Sequence, residues 1–415
     1  MTRVVVIGAG VIGLCTAFSL RQRGADVTVI EKEDGAHGAS VVNAGWVTPS
    51  LSDPVPSAGL VQTSLKWMLH SDSPLYIRPL SAPKMLPWLF SFWRHCNEKD
   101  FVAGMEATAE LNRTTMALYD ALNQAGVDFE EHQDGLLFAY KNPATMESDL
   151  RALEPLNAYG YPTPPSLDGT AVRAFEPSLG ESVQAGYWLQ QERSVRPDTL
   201  TNGLRRWLEA NGVEFHARSS VTGFSASEES VQRVMTDRGA LMCDAAVICA
   251  GAWSGQVAAL AGVKLPVQGG KGYCLDYTPP PTAVGRPIYL HEARVAVTPF
   301  DGAVRLAGTM EFSGINAVER PARVAAISRT ASTMLRNWPA DPAAAQRRGN
   351  GLRPMTPDGI PVLGLLPGFR NLAVATGHAM LGVTLGPATG DTIAETVMTG
   401  RAPAVLEPFS PARFS

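Results

Sequence analysis

This chain of 415 residues is predicted to fold as α/β, with one domain on a parallel sheet interleaved with a second, α+β domain on an antiparallel sheet. Three observations predict it. A strand, a glycine turn, a helix and a second strand open the chain. A second glycine-rich turn leads into a helix near its end. Between them lie short strand candidates, two of them joined by a hairpin signal.

The opening unit begins with Val4-Val5-Val6-Ile7, β-branched and suited to a strand buried on both faces. Gly8-Ala9-Gly10-Val11-Ile12-Gly13 follows at once, then a helical pattern over residues 14–23 that stops at Gly24. The second strand, Val27-Thr28-Val29-Ile30, ends on Glu31, eighteen positions after Gly13. In such a unit Gly8 turns the chain, Gly10 lets the backbone approach a pyrophosphate, and Gly13 lets helix and strand pack closely. The helix N-terminus offers N–H groups and a positive dipole end to phosphates. Glu31 would accept from both ribose hydroxyls and disfavours a 2′-phosphate. Glycines in a tight turn also arise from packing alone. Here the strand, helix, second strand and terminal acid are all present, so a Rossmann-like dinucleotide unit is expected.

Gly38-Ala39-Ser40 and Asn43-Ala44-Gly45 then supply small residues that let the chain run beside an extended cofactor. Strands are expected at 213–217, at 221–224 and at 245–249, the last ending in the turn Ala250-Gly251-Ala252-Trp253. The glycine-rich tail 375–387 precedes a helix over 388–398. The first domain is therefore expected to gather residues 1–60, 195–265 and 350–405. A helix over 198–210, framed by Pro197 and Asn211-Gly212, leads back into it. Residues 61–194 and 266–349 should form the second domain. Its strand candidates are 135–140, 185–189, 272–277, 295–299 and 304–308, with Asp301-Gly302 as the hairpin turn.

The bulk composition excludes several classes. An apolar fraction of 45% and a charged fraction of 18% describe an ordinary globular protein. A net charge of -4 gives no electrostatic footprint for nucleic acid. The five cysteines (Cys15, Cys96, Cys243, Cys249, Cys274) are scattered through mostly apolar runs and read as reduced core residues, and no metal site is expected. Gly8, Gly10 and Gly13 break the only stretch that could pass for a signal peptide, and no segment reaches the roughly 18 apolar residues of a membrane span. A cytoplasmic location is expected, with the inner face of the membrane as the alternative.

The opening GAGVIG…VIEKE, the AVICAGAWS turn, the GLRPMTPDGIPVLG segment and the ATGHAMLGVTLGPATG tail together resemble the FAD-dependent D-amino acid oxidase superfamily. The resemblance is closest to bacterial D-amino acid dehydrogenases and glycine oxidase-like enzymes. SVVNAGWVTPS and LKWMLHSDSPLYIRP resemble the dehydrogenase branch in particular. The resemblance implies a Rossmann-like FAD-binding domain interleaved with an α+β substrate domain, and noncovalent FAD. Its expected contacts are Gly8, Gly10, Val11, Ile12, Gly13, Glu31, Lys32, Ser40, Asn43, Ala44, Gly45, Val221, Gly251, Trp253, Gly377, Gly382, Val383 and Thr384.

It also implies oxidative deamination of a small amino acid, a D-amino acid first. Hydride would pass from Cα to flavin N5, giving an imine and then a 2-oxo acid, with quinone or oxygen as the final acceptor. Arg353, in Gly351-Leu352-Arg353-Pro354, is the expected bidentate partner of the substrate carboxylate, with Arg294 and Arg305 in reserve. Relatives carry a second arginine two residues after the tail histidine, where this chain has Met380, which implies a less polar pocket. His378 is read as a flavin or substrate contact, or as a histidine satisfied by local backbone. Lys271 would steady the reduced flavin or assist oxygen, or stand solvated at a strand end. Tyr289 and His291 fall where the superfamily places substrate-facing aromatics. Competing readings are oxidation of a secondary amine such as hydroxy-D-proline, sarcosine or glycine, and a flavin-binding redox subunit without catalysis.

One stretch stands apart, with Trp67, Trp88, Phe90, Phe92 and Trp93 set among Pro74, Pro79, Pro83 and Pro87. It reads as an aromatic cover on the substrate domain, or as an amphipathic patch meeting a membrane or a quinone.

Overall fold

The computed structural model describes residues 1–59, 75–78 and 82–415. Among them a six-stranded sheet runs in the order Glu214–His216, Asp26–Ile30, Arg3–Ile7, Ala245–Ile248, Leu372–Thr376, Val362–Leu365. All neighbours are parallel except Val362–Leu365, which runs antiparallel to Leu372–Thr376. Side chains alternate along a strand, so Val4 and Val6 enter one core while Val5 and Ile7 enter another on the opposite face. Burial on both faces is why this strand carries no polar position between Val4 and Ile7.

The opening helix Val11–Gln22 packs along the closing helix Gly382–Thr399. The approach is close enough that a β-carbon on Gly390 would lie 2.5 Å from the Cys15 carbonyl oxygen. The closing helix starts at Gly382 and runs through Pro387, whereas the sequence had suggested a start near 388. Proline cannot donate to the Val383 carbonyl four residues back. The Tyr119 hydroxyl donates to that carbonyl instead, at 2.8 Å. Tyr119 lies on helix Thr115–Gln124, which with Glu98–Asn112 packs Leu111, Tyr119 and Leu122 into the same core.

The second large sheet has nine described strands. Its order is Arg347–Met355, Gln268–Tyr277, Ala303–Phe312, Val295–Phe300, Ile288–Leu290, Leu136–Tyr140, Ala185–Leu189, Ser166–Asp168, and Leu75–Ile77 pairs additionally with Ala303–Phe312. Most pairs are antiparallel, and each strand expected in the second half of the chain's plan falls in this sheet. Gly302, at φ 72°, turns the hairpin between Val295–Phe300 and Ala303–Phe312. Helix Pro321–Ser332 covers one face through Val324, Ile327 and Ala331. The opposite face carries Cys274, Ala296 and Ala307 against Val42, Ala44 and Trp46. The mixed α/β architecture is as expected. The strand Val221–Ser227, however, belongs to a separate three-stranded antiparallel sheet with Ser230–Thr236 and Gly239–Met242.

Trp67, Pro74 and Pro79 lie outside the described residues. Pro87 falls inside helix Ala82–His95, which buries Met85 and Trp88 and exposes Leu86, Phe90 and Trp93. Among the described residues no helix is long and apolar enough to cross a membrane.

Candidate active site

A cavity of about 960 Å³ is lined by the carboxyl ends of the parallel strands and by the first strand of the nine-stranded sheet. The glycine turn builds one wall. Gly8 has φ 112°, and a β-carbon there would stand 2.5 Å from the Cys249 carbonyl oxygen. A β-carbon on Gly13 would stand 1.9 Å from the Gly8 carbonyl oxygen, so Gly13 seats helix on strand without reaching the cavity. Gly10, Val11 and Ile12 line the cavity, and the Val11 N–H donates to the Ser40 hydroxyl at 3.0 Å.

Glu31 closes the second strand as the turn requires. One carboxylate oxygen accepts from the Ala9 N–H at 2.8 Å and the other from the Glu33 N–H at 3.0 Å. A carboxylate has about four lone-pair sites, so acceptors remain for ribose hydroxyls. Beside it the Lys32 ammonium stands 3.6 Å over the Trp253 ring. Gly382 and Val383 bring the N-terminus of the closing helix to the same cavity as that of the opening helix. Two positive dipole ends thus point at one space, which suits a pyrophosphate.

Of the expected cofactor residues, Asn43, Val221, Gly251 and Trp253 also line the cavity, while Ala44, Gly45, Gly377 and Thr384 do not. Those four shape its frame. A β-carbon on Gly45 would meet the Val195 carbonyl at 2.1 Å, and one on Gly377 would meet Thr356 at 2.6 Å. The Thr384 hydroxyl donates to the Trp46 carbonyl and accepts from the Thr48 N–H, at 3.1 and 3.0 Å. The Ala44 carbonyl accepts from the Thr298 hydroxyl at 2.8 Å. His37, Ser219, Ser220, Gln256, Asn316 and Asn350 line the cavity as well and went unnamed from sequence. They lie outside the quoted motifs, and only the meeting of distant segments brings them together.

At the far end Arg353 lines the cavity, its guanidinium lying over Gly272, where a β-carbon would be 2.3 Å from Nη1. Nη1 donates to the Thr309 carbonyl at 2.9 Å. Among the described residues no carboxylate pairs with it, and burial alone pushes its pKa down to about 10. The cation therefore faces the cavity uncompensated. His378 also lines it, with Nε2 2.9 Å from the Thr389 hydroxyl and a buried Nδ1 that has no partner among the described residues. Burial pushes this imidazole down to about 3, so it stays neutral at ordinary pH.

The structure places the remaining candidates elsewhere. Lys271 is fully buried on the opposite side of its strand from Arg353, so the solvated strand-end alternative does not hold. Its ammonium donates to Asn316 Oδ1 at 2.6 Å and the Val318 carbonyl at 2.9 Å, with Glu311 at 3.7 Å. Tyr289 packs edge-on against Trp46 and Phe138, and the Arg294 guanidinium donates to its hydroxyl at 3.3 Å. His291 stacks on Tyr140 and pairs with Asp149 at 3.1 Å. Neither Tyr289 nor His291 lines the cavity. Arg305 is committed to Asp276 and to the Val41 and Asn43 carbonyls, which leaves it no role as a reserve clamp.

Glu130, His132 and Asp301 bring three ligand-type atoms within 4.8 Å of one another outside this cavity. Glu130 already accepts from Arg196 and from the Asp301 N–H.

The arrangement fits a flavin dinucleotide: a glycine turn that β-carbons would fill, two helix N-termini, an acid at the second strand's end and an orphaned imidazole nitrogen beyond. Comparison with known proteins agrees. The family model described as FAD dependent oxidoreductase matches residues 3–396. A D-amino acid dehydrogenase of Rhizorhabdus wittichii is 30% identical over 412 residues, covering 97% of each chain. Among solved structures, an L-proline dehydrogenase from P. horikoshii superposes with a TM-score of 0.77 at 20% identity, over 100% of this chain and 97% of that one. A glycine oxidase from Bacillus cereus gives 0.73 at 22% identity, over 98% of each.

Proposed function

This chain belongs to the FAD-dependent oxidoreductase family, and on that premise we propose that it oxidises the C–N bond of a small amino acid, a D-amino acid first. The observation that carries the reading is Arg353. A guanidinium brought to a cavity wall without a counter-ion is suited to a carboxylate, which it can grip in a planar, two-bonded pair. The name of the D-amino acid dehydrogenase relative supports the choice of substrate.

When bound, FAD supplies a two-electron acceptor. Gly8, Gly10 and the two helix N-termini would hold its pyrophosphate, Glu31 its ribose, and His378 Nδ1 and Asn350 would face the flavin end. Arg353 would fix the carboxylate and with it the direction of the substrate's Cα–H bond. Neutral His378 neither adds charge there nor takes a proton in the ordinary pH range. The imine product hydrolyses in water to a 2-oxo acid and ammonia. The test is an anaerobic absorbance titration of the yellow holoenzyme with D- and L-amino acids, glycine, sarcosine and hydroxyproline isomers. Bleaching by D-amino acids supports the reading; bleaching by secondary amines alone moves it to the competing substrate class, and no bleaching overturns it.

A quinone at a membrane surface is the proposed electron acceptor. Leu86, Phe90 and Trp93 are 60%, 59% and 56% exposed on one side of helix Ala82–His95. The helix's other side packs Met85 and Trp88 beside Met310, Met355 and Ala379, next to Arg353. An apolar stripe outside and the site inside suit a surface at which electrons leave.

A further inference from the structure

Where strand Ala303–Phe312 runs beside Gln268–Tyr277, the pairing slips. Lys271 lies opposite Glu311 and Tyr273 opposite Gly308, so the former strand carries one extra residue across this interval. Such a bulge takes backbone groups out of the ladder and re-aims them. Thr309 lies in it with φ 63°, the left-handed region that glycine and asparagine enter readily and a β-branched residue rarely does. Its hydroxyl is buried and has no hydrogen-bond partner among the described residues. Its carbonyl accepts from Arg353 Nη1 at 2.9 Å. A strained backbone, an orphaned hydroxyl and an interrupted ladder thus coincide at the residue that touches the candidate carboxylate clamp.

We propose that Thr309 is a positioning residue for substrate recognition: the bulge turns its carbonyl onto Arg353 Nη1 and thereby sets which part of the guanidinium the substrate carboxylate meets. This rests on the reading of Arg353 as the carboxylate clamp. The strand below leaves room for the arrangement because Gly272 has no side chain under the guanidinium. With Nη1 held, Nη2 and Nε have no partner among the described residues and remain for a two-bonded carboxylate. A glycine in place of Thr309 keeps the carbonyl but frees the backbone that aims it, so its effect falls on recognition rather than on the fold.

The test is binding of acetate, an unreactive carboxylate, to the holoenzyme, read from the perturbation of the flavin absorbance. Melting temperature is measured alongside. Arg353→Met should raise the acetate Kd at least tenfold. Thr309→Gly should raise it at least threefold, with the melting temperature no lower than the parent's, and should raise KM for the amino acid more than it lowers kcat. The double variant should bind no more weakly than Arg353→Met alone. Thr309→Asn, which tolerates the left-handed backbone, should stay within twofold of the parent and provides the folded control if the glycine variant loses FAD. Parent-like binding by Thr309→Gly, or a loss that multiplies fully with that of Arg353→Met, overturns the proposal. Parent-like binding by Arg353→Met overturns the clamp itself, a separate result.

Discussion

The guanidinium of Arg353 lies across Gly272, which occupies the neighbouring strand at a point where any side chain would strike it: an added β-carbon would come within 2.3 Å of Nη1. Gly272→Ala is therefore expected to displace Arg353 and to raise KM for the amino acid about tenfold, equivalent to ~1.4 kcal/mol. FAD content should match the parent, because neither residue touches the glycine turn. Steady-state kinetics with a flavin-to-protein ratio checks this, and an unchanged KM would mean that Arg353 is not the clamp.

Arg305 is almost wholly buried and joins Asp276 at 2.7 and 2.9 Å to the Val41 and Asn43 carbonyls at 2.8 and 2.9 Å. It ties the nine-stranded sheet to the segment that borders the cavity at Asn43. Arg305→Met leaves a mostly buried carboxylate without its main partner, a change that costs about 3–5 kcal/mol in comparable cases. Denaturant unfolding should show that loss, together with weaker FAD retention. Adding Asp276→Asn should recover part of the stability, since the stranded charge is then gone. No recovery would locate the cost in the carbonyl contacts instead.

Glu192 makes stability depend on pH. It is buried, the Ser50 hydroxyl and N–H both reach Oε1, and Oε2 has no partner among the described residues. Burial pushes its carboxyl up to about 8. An unfolded glutamate titrates near 4.3, so the folded chain holds this proton more tightly between the two values. The contribution is full below about pH 4.3 and is lost as the pH rises through 8. Urea midpoints should thus fall between pH 5 and pH 8 in the parent, and Glu192→Gln should flatten the decline. An equally steep decline in the variant would assign it to other groups.

For the membrane reading, Leu86→Ser, Phe90→Ser and Trp93→Ser together should cut sedimentation with lipid vesicles severalfold. Anaerobic bleaching by the amino acid should persist, since the stripe faces away from Arg353. Parent-like sedimentation would remove the reading.

How much was legible in advance depended on whether the determinant was local. The glycine turn at Gly8 to Gly13, the acid at Glu31 and the hairpin at Asp301-Gly302 are short-range patterns, and each took the form its residues dictate. The start of the closing helix was missed because Pro387 stops a helix by local rules. Tyr119, from a segment far away in sequence, satisfies the carbonyl that the proline leaves. Lys271 and Tyr273 show the same limit. Their glycine-flanked motif marks a strand near a cofactor but cannot say which face the lysine takes, and period-2 alternation carried Lys271 away from Arg353.

The sequence by itself determined the α/β class and the dinucleotide unit, because a strand-turn-helix with fixed glycines is specified by nearest-neighbour sterics; Arg353 was named through a family resemblance. Tertiary structure alone decided which cations stay available. Lys271 and Arg305 found Glu311 and Asp276 across the sheet, and Arg353 found the Thr309 carbonyl and no carboxylate among the described residues, because a buried charge is fixed by the partners that distant strands bring within reach.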